Sequence, residues 1–301
     1  MNTTTKLEIK DWILAARPWS YTASAMPIIT TLSFLLTMNP NSVIENWHLA
    51  ILSVISIILL HSSGNLISDY FDYIKGVDRE GVYGQTILVE KKFKPNSIKI
   101  YGYVCLALGS LIGLYIGLNT HFLVIIIGGI GFISSLFYFF FKKNALGDFL
   151  IFISFGFLPT IGTGYMIEGE LNPWLMLLSL PVGAITIAIL HSNNTRDIDD
   201  DSKAGITTLA SFLGVKFSIY YYAFLVIIPY LVIILMVALG VIPYFCLLNL
   251  ISFPIALKNI KHMQRARISH HEIGSLDQIT AQHQLIFTLG LSITLIISYL
   301  L

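Results

Sequence analysis

The chain has 301 residues, of which 55% are hydrophobic and 12% charged, with a mean hydropathy of +0.76. A water-soluble domain carries about 25% charged residues, so the composition excludes a soluble fold, a disordered chain, a collagen-like repeat and a disulfide-rich secreted scaffold. Lys and Arg total 18 against 17 Asp and Glu, which gives no reason to expect a nucleic-acid partner and leaves the lipid bilayer as the expected surroundings.

Residues 1–16 begin polar and then mix charge with Trp12 and Leu14. The pattern over 6–16 predicts a short helix lying at the membrane interface, with no small-residue cleavage site to mark a removable leader. A crossing helix needs about 20 apolar residues, and nine stretches meet that need: 18–38, 47–68, 99–118, 121–141, 149–167, 173–193, 217–239, 241–258 and 281–301. Gly128, Gly129 and Gly131 in the fourth read as points of close helix packing. The two cysteines, Cys105 and Cys246, sit inside apolar runs and show no metal-like spacing.

Under a nine-span topology all 18 basic residues fall on one side. The loops at 39–46, 119–120, 168–172 and 240 contain none. The positive-inside rule then puts the N-terminus and the basic loops in the cytoplasm. The chain is expected to be a single all-α membrane domain over 1–301, in a bacterial cytoplasmic membrane with its site on the cytoplasmic face.

Acids break the apolar pattern at two places. Asn65, Asp69 and Asp72 end the second span at i, i+4 and i+7, on one helix face. Asn194, Asp197 and Asp201 end the sixth at i, i+3 and i+7, while Asp199 and Asp200 fall on other faces and read as solvated. One acidic helix end is unremarkable as a solvated terminus, but two Asn-led clusters on the same side of the membrane are not. Each closes the second helix of a four-helix block, which hints at an internal repeat with the ninth span added. Oxygen donors without His or Cys select a hard cation such as Mg²⁺, which shares its shell with substrate phosphates. With Lys75, Arg79 and Arg196 nearby, the clusters predict a diphosphate clamp. His61 and His191 each precede a motif asparagine. They read first as partners in helix–helix hydrogen bonds, and second as groups that orient the amide or take up a proton.

At these residues the chain resembles the UbiA-type intramembrane prenyltransferases. Arg17-Pro18-Trp19-Ser20, Gly64-Asn65-Leu66, Asp69-Tyr70, Asp72, Lys75-Gly76-Val77-Asp78, Leu146-Gly147-Asp148 and Phe155-Gly156 all resemble family stretches. The run from His191 to Asp197, with Asp201, Gly205, Thr208-Leu209 and Gly214, resembles the menaquinone branch, the 1,4-dihydroxy-2-naphthoate polyprenyltransferases and their animal vitamin K2 relatives. Ser68 departs from many bacterial members, which have a second Asn there. The 79–90 loop lacks the Arg-Pro-rich segment of ubiquinone-type members.

The resemblance implies nine transmembrane helices around a central cavity, as two four-helix blocks plus one. It implies catalytic acids Asp69, Asp72, Asp197 and Asp201, which with Asn65 and Asn194 hold two Mg²⁺. A polyprenyl diphosphate and an aromatic quinone precursor are the implied substrates. Lys75, Arg79 and Lys143 are then candidates for the diphosphate, Arg17 or Lys143 for an acceptor carboxylate, and Arg196 for orienting a motif carboxylate. Competing readings are prenylation of another acceptor, a cation-coupled transporter, whose acids usually lie nearer the midplane, and a CDP-alcohol phosphotransferase, which keeps its acids in one long motif.

Overall fold

Proline marks where many of the helices start. Its fixed φ suits the first turn, where its missing amide is not needed, and Pro40, Pro95, Pro173 and Pro254 all stand in first turns. The computed structural model describes residues 7–76, 87–142, 144–203 and 205–301. Arg79 and Lys143 lie outside the described residues.

Among the described residues the regular structure is helical: α1 (Ile9–Ala15), α2 (Thr22–Met38), α3 (Pro40–Glu45), α4 (Trp47–Ile74), α5 (Pro95–Asn119), α6 (Phe122–Lys142), α7 (Gly147–Phe152), α8 (Leu158–Glu168), α9 (Pro173–Arg196), α10 (Ile198–Lys203), α11 (Leu209–Ala238), α12 (Phe253–Met263) and α13 (Leu276–Leu300). Seven helical stretches among these residues are long and apolar enough to cross a membrane. They correspond to the predicted spans one, two, three, five, six, seven and nine. The fourth holds a shorter apolar run, Phe122–Ser134.

Several helices depart from the simple spans. The fifth consists of α7, a π turn over Ile153–Phe157, and α8. The expected eighth span is not one regular helix: a 3₁₀ stretch, Tyr244–Ser252, leads into α12, which runs five residues past the expected end at 258. Gly214, at φ 70° and ψ 165°, breaks α11 near its start.

The most buried helices set the core. Helix α9 packs on α11, α13, α7 and α8, and α2 packs on α13, α8 and α4 while also touching α9. Small residues allow the tightest approaches. A Cβ on Gly156 would lie 2.7 Å from Gly183 Cα, and one on Gly109 would lie 3.1 Å from the Ser56 carbonyl. The glycines expected to pack closely do not: Cβ atoms at Gly128, Gly129 and Gly131 would meet nothing within 4 Å. Gly128 and Gly131 instead line a narrow apolar cavity of about 130 Å³, with Ile57, Ile116 and Met166. Close packing of α5 falls to Gly102 and Gly109, against α4.

The N-terminal segment is tied down. Ala15 and Ala16 are buried with Leu66, Phe93 and Ile98, and Trp12 meets the Phe93 ring edge-on at 4.9 Å. Lys92 Nζ lies 2.8 Å from Asp11, whose carboxyl is held below its usual range chiefly by that hydrogen bond.

Candidate active site

The first acidic motif is built where α4 meets the turn before α2. Arg17 sits in the left-handed region at φ 58°, and its guanidinium binds the Asp69 carboxylate. Asp69 is buried, with its side chain 3% exposed. Ser20 forms the hub beside it: its hydroxyl donates to the Arg17 carbonyl (2.8 Å), accepts from the Asn65 amide (3.2 Å) and lies 3.3 Å from His61 Nε2. His61 Nδ1 lies 3.0 Å from Ser24 Oγ. The histidine thus joins α4 to α2 and, through Ser20, touches the partner of Asn65. Ser68, the departure noted in the motif, donates to Asp72 at 3.0 Å. Lys75 is exposed and its ammonium stands 5.6 Å from the centre of the Phe71 ring.

The second motif is not one continuous helix face. Helix α9 ends at Arg196, Asp197 takes the cap position, and α10 starts at Ile198. The backbone stays nearly helical through the join, because the Asp201 amide donates to the Asp197 carbonyl at 2.8 Å. Arg196 grips its own neighbour, donating from Nε and Nη2 to both oxygens of Asp197 at 2.7 and 2.8 Å. Its Nη1 reaches the Gly274 carbonyl and lies 3.5 Å from Asp277. Asn194 and Asp201 are buried. Asp199 is exposed and lies 3.4 Å from His270, and Asp200 pairs with Lys203.

Two residues near this motif escaped the sequence reading as functional positions. Asp148 accepts from or is paired with His191 Nδ1 at 3.0 Å, and both side chains are almost wholly buried. Asp277 shares Arg196 with Asp197. For Asp148 the available signal was a lone acid directly before an apolar run, 149–152; Asp277 sits in a polar stretch and gave none. The segment carrying Asp148 is fixed to the loop after Asp201, where the Ala145 amide donates to the Thr207 carbonyl at 2.8 Å.

The two motifs open on the same side of the bundle. Thr22, at the start of α2, accepts from Gln284 of α13, which also donates to Thr186 of α9. Ser24, on the same turn of α2, meets His61 of α4. At 1.5 Å per residue, Asp69 stands about 12 Å beyond His61 and Asp197 about 16 Å beyond Thr186. Both helices therefore carry their acids past the level of the α2 start.

Among the described residues no three His, Cys, Asp or Glu side chains converge into a metal cage. The donor chemistry nevertheless suits Mg²⁺, which binds through one or two carboxylates and completes its shell with water and substrate phosphate. Asp69, Asp72, Asp197 and Asp201 supply only hard oxygen donors, and each motif has an arginine paired with one of its acids.

The profile of the UbiA prenyltransferase family matches residues 26–271. The chain is 34% identical over 230 residues to UbiA prenyltransferase domain-containing protein 1 of Gallus gallus, covering 73% of this chain and 67% of that protein. The Homo sapiens protein of that name is 34% identical over 239 residues, covering 74% and 66%. The Drosophila melanogaster homolog is 35% identical over 244 residues, covering 75% and 64%. The matched region spans about two thirds of these relatives. In fold, the chain is similar to the apo structure of a UbiA homolog from Aeropyrum pernix K1, with a TM-score of 0.69 over 94% of this chain and 98% of that one at 14% identity. It is also similar to a UbiA homolog from Archaeoglobus fulgidus bound to DMAPP and Mg²⁺, with a TM-score of 0.59 over 92% and 98% at 14% identity. Profile, relatives and fold agree with the two arginine-paired acidic motifs: this multi-pass membrane chain belongs to the UbiA prenyltransferase family.

Proposed function

We propose that this chain joins a polyprenyl tail to an aromatic naphthoquinone precursor, 1,4-dihydroxy-2-naphthoate, in menaquinone biosynthesis. The observation that carries the reading is the pair of acidic helix ends on one side of the bundle, each with one acid held by an arginine. In this reaction the allylic C–O bond breaks, pyrophosphate leaves, and a C–C bond forms at the ring. The ring carboxylate departs as CO₂, and its bonding electrons restore aromaticity.

Mg²⁺, in the number of two, supplies charge neutralisation for the leaving diphosphate when bound. Asp69, Asp72, Asp197 and Asp201, with Asn65 and Asn194, are the residues that hold it. Lys75, Arg79 and Lys143 take the diphosphate, Arg17 meets the acceptor carboxylate, and Arg196 orients Asp197. The apolar cavity beside Gly128 and Gly131 suits part of an isoprenoid tail. The bound DMAPP and Mg²⁺ of the Archaeoglobus homolog support this assignment of substrate class.

The proposed topology has nine spans in two four-helix blocks plus α13, with the N-terminus and basic loops in the cytosol. The animal relatives named above lend no support to a bacterial membrane, and the side is named as the cytosolic one.

The purified protein should convert 1,4-dihydroxy-2-naphthoate with a polyprenyl diphosphate and leave 4-hydroxybenzoate unreacted under the same conditions. Product mass reads the outcome. Turnover of 4-hydroxybenzoate alone would move the chain to another branch of the family.

A further inference from the structure

Beyond the acidic motifs, α11 just past Gly214, the segment after α12 and Asp199 of α10 form an open polar cleft of about 750 Å³. Lys216 and Arg267 line it, with Tyr220, Ser269 and the Asp199–His270 pair. Neither Asp197 nor Asp201 does. We infer that this cleft binds the phosphodiester headgroup of an anionic phospholipid.

Charge is the first argument. The walls carry two cations, Lys216 and Arg267, against one carboxylate, Asp199, which lies 3.4 Å from His270. The cations come from different elements, one from α11 and one from the 3₁₀ turn Gln264–Arg267. Gly214 breaks α11, and the helix restarts at Val215 and Lys216, which form one wall. The start of a helix carries partial positive charge and favours phosphate.

The rim is the second argument. Phe212 is 76% exposed, Ile268 82%, Phe217 59% and Tyr220 56%. Ile268 and Tyr220 line the cleft with the two cations, and Phe212 and Phe217 flank Lys216 along α11. A free phosphate would use the cations and leave the rim in water. A lipid uses both, with its headgroup in the cleft and its acyl chains along Phe217, Tyr220 and the exposed Phe224 farther along α11. Basic pockets at the ends of membrane helices bind anionic headgroups by this combination.

The test uses the full chain in nanodiscs of phosphatidylcholine with and without phosphatidylglycerol, with retained lipid counted by native mass spectrometry. Wild type should retain phosphatidylglycerol in preference to phosphatidylcholine. K216Q/R267Q should weaken that retention about 25-fold, at roughly fivefold per basic group. K261Q/R265Q removes the same charge from exposed positions outside the cleft and should leave retention unchanged. Thermal unfolding of both double variants controls for folding. Equal loss in the two variants would reduce the effect to general surface charge and overturn the site. So would equal retention of the two lipids by wild type. Displacement of phosphatidylglycerol by geranylgeranyl diphosphate would assign the cleft to the prenyl substrate instead and would also overturn it.

Discussion

Arg17 adopts a left-handed backbone conformation directly before a proline, in a region that costs a residue with a side chain about 1–3 kcal/mol. Its ion pair with Asp69, and the Ser20 and Asn65 hydrogen bonds around it, hold the turn there. Asp69→Ala and Asp197→Ala should each reduce prenyl transfer to background while size-exclusion profile and helicity stay native. Asp200→Ala, which removes only a surface pair with Lys203, should keep turnover within about twofold, as surface substitutions are usually mild. A product assay on the three variants separates these outcomes. The motif residues were legible because Asn65, Asp69 and Asp72 repeat at helical spacing inside an otherwise apolar chain. Their partners were not. Arg17 is 52 residues from Asp69 and Asp148 is 43 from His191, and no local periodicity links positions that meet only after the helices pack.

At the scale of helices, the small residues divide into two kinds that look alike in the sequence. Gly156 and Gly183 bring the π turn against α9 at a distance no side chain tolerates, whereas Gly129 faces open space. Gly156→Ala should lower stability by about 1–3 kcal/mol, the usual cost of overpacking. Gly129→Ala should be neutral or stabilising by about 0.5 kcal/mol, because it only restricts the unfolded backbone. Thermal unfolding of both variants in one detergent measures the contrast. Hydropathy located the long apolar helices well, since length and composition decide whether a segment can cross lipid. It did not reveal the breaks at 153–157, 214 and 244–252, which depend on which neighbour each turn meets. The same limit misassigned Gly128, Gly129 and Gly131, because a glycine in an apolar run does not state which face is covered.

For the whole molecule, the placement of basic residues gives the sharpest check. Asn41→Cys should react with an impermeant thiol reagent from outside the cell, and Lys261→Cys only after the inside is exposed. The native Cys105 and Cys246 are buried and give a low background. Labelling of both introduced thiols from one side would overturn the proposed topology. The arginine pairs also bear on the molecule as a whole. A bundle with bare carboxylates at two helix ends would need a dissolved ion before those ends could settle together. Here Arg17 and Arg196 come with the chain and are in place as soon as it folds. One acid at each helix end is thereby neutralised from within the chain, so the docking of these ends does not wait on a bound ion.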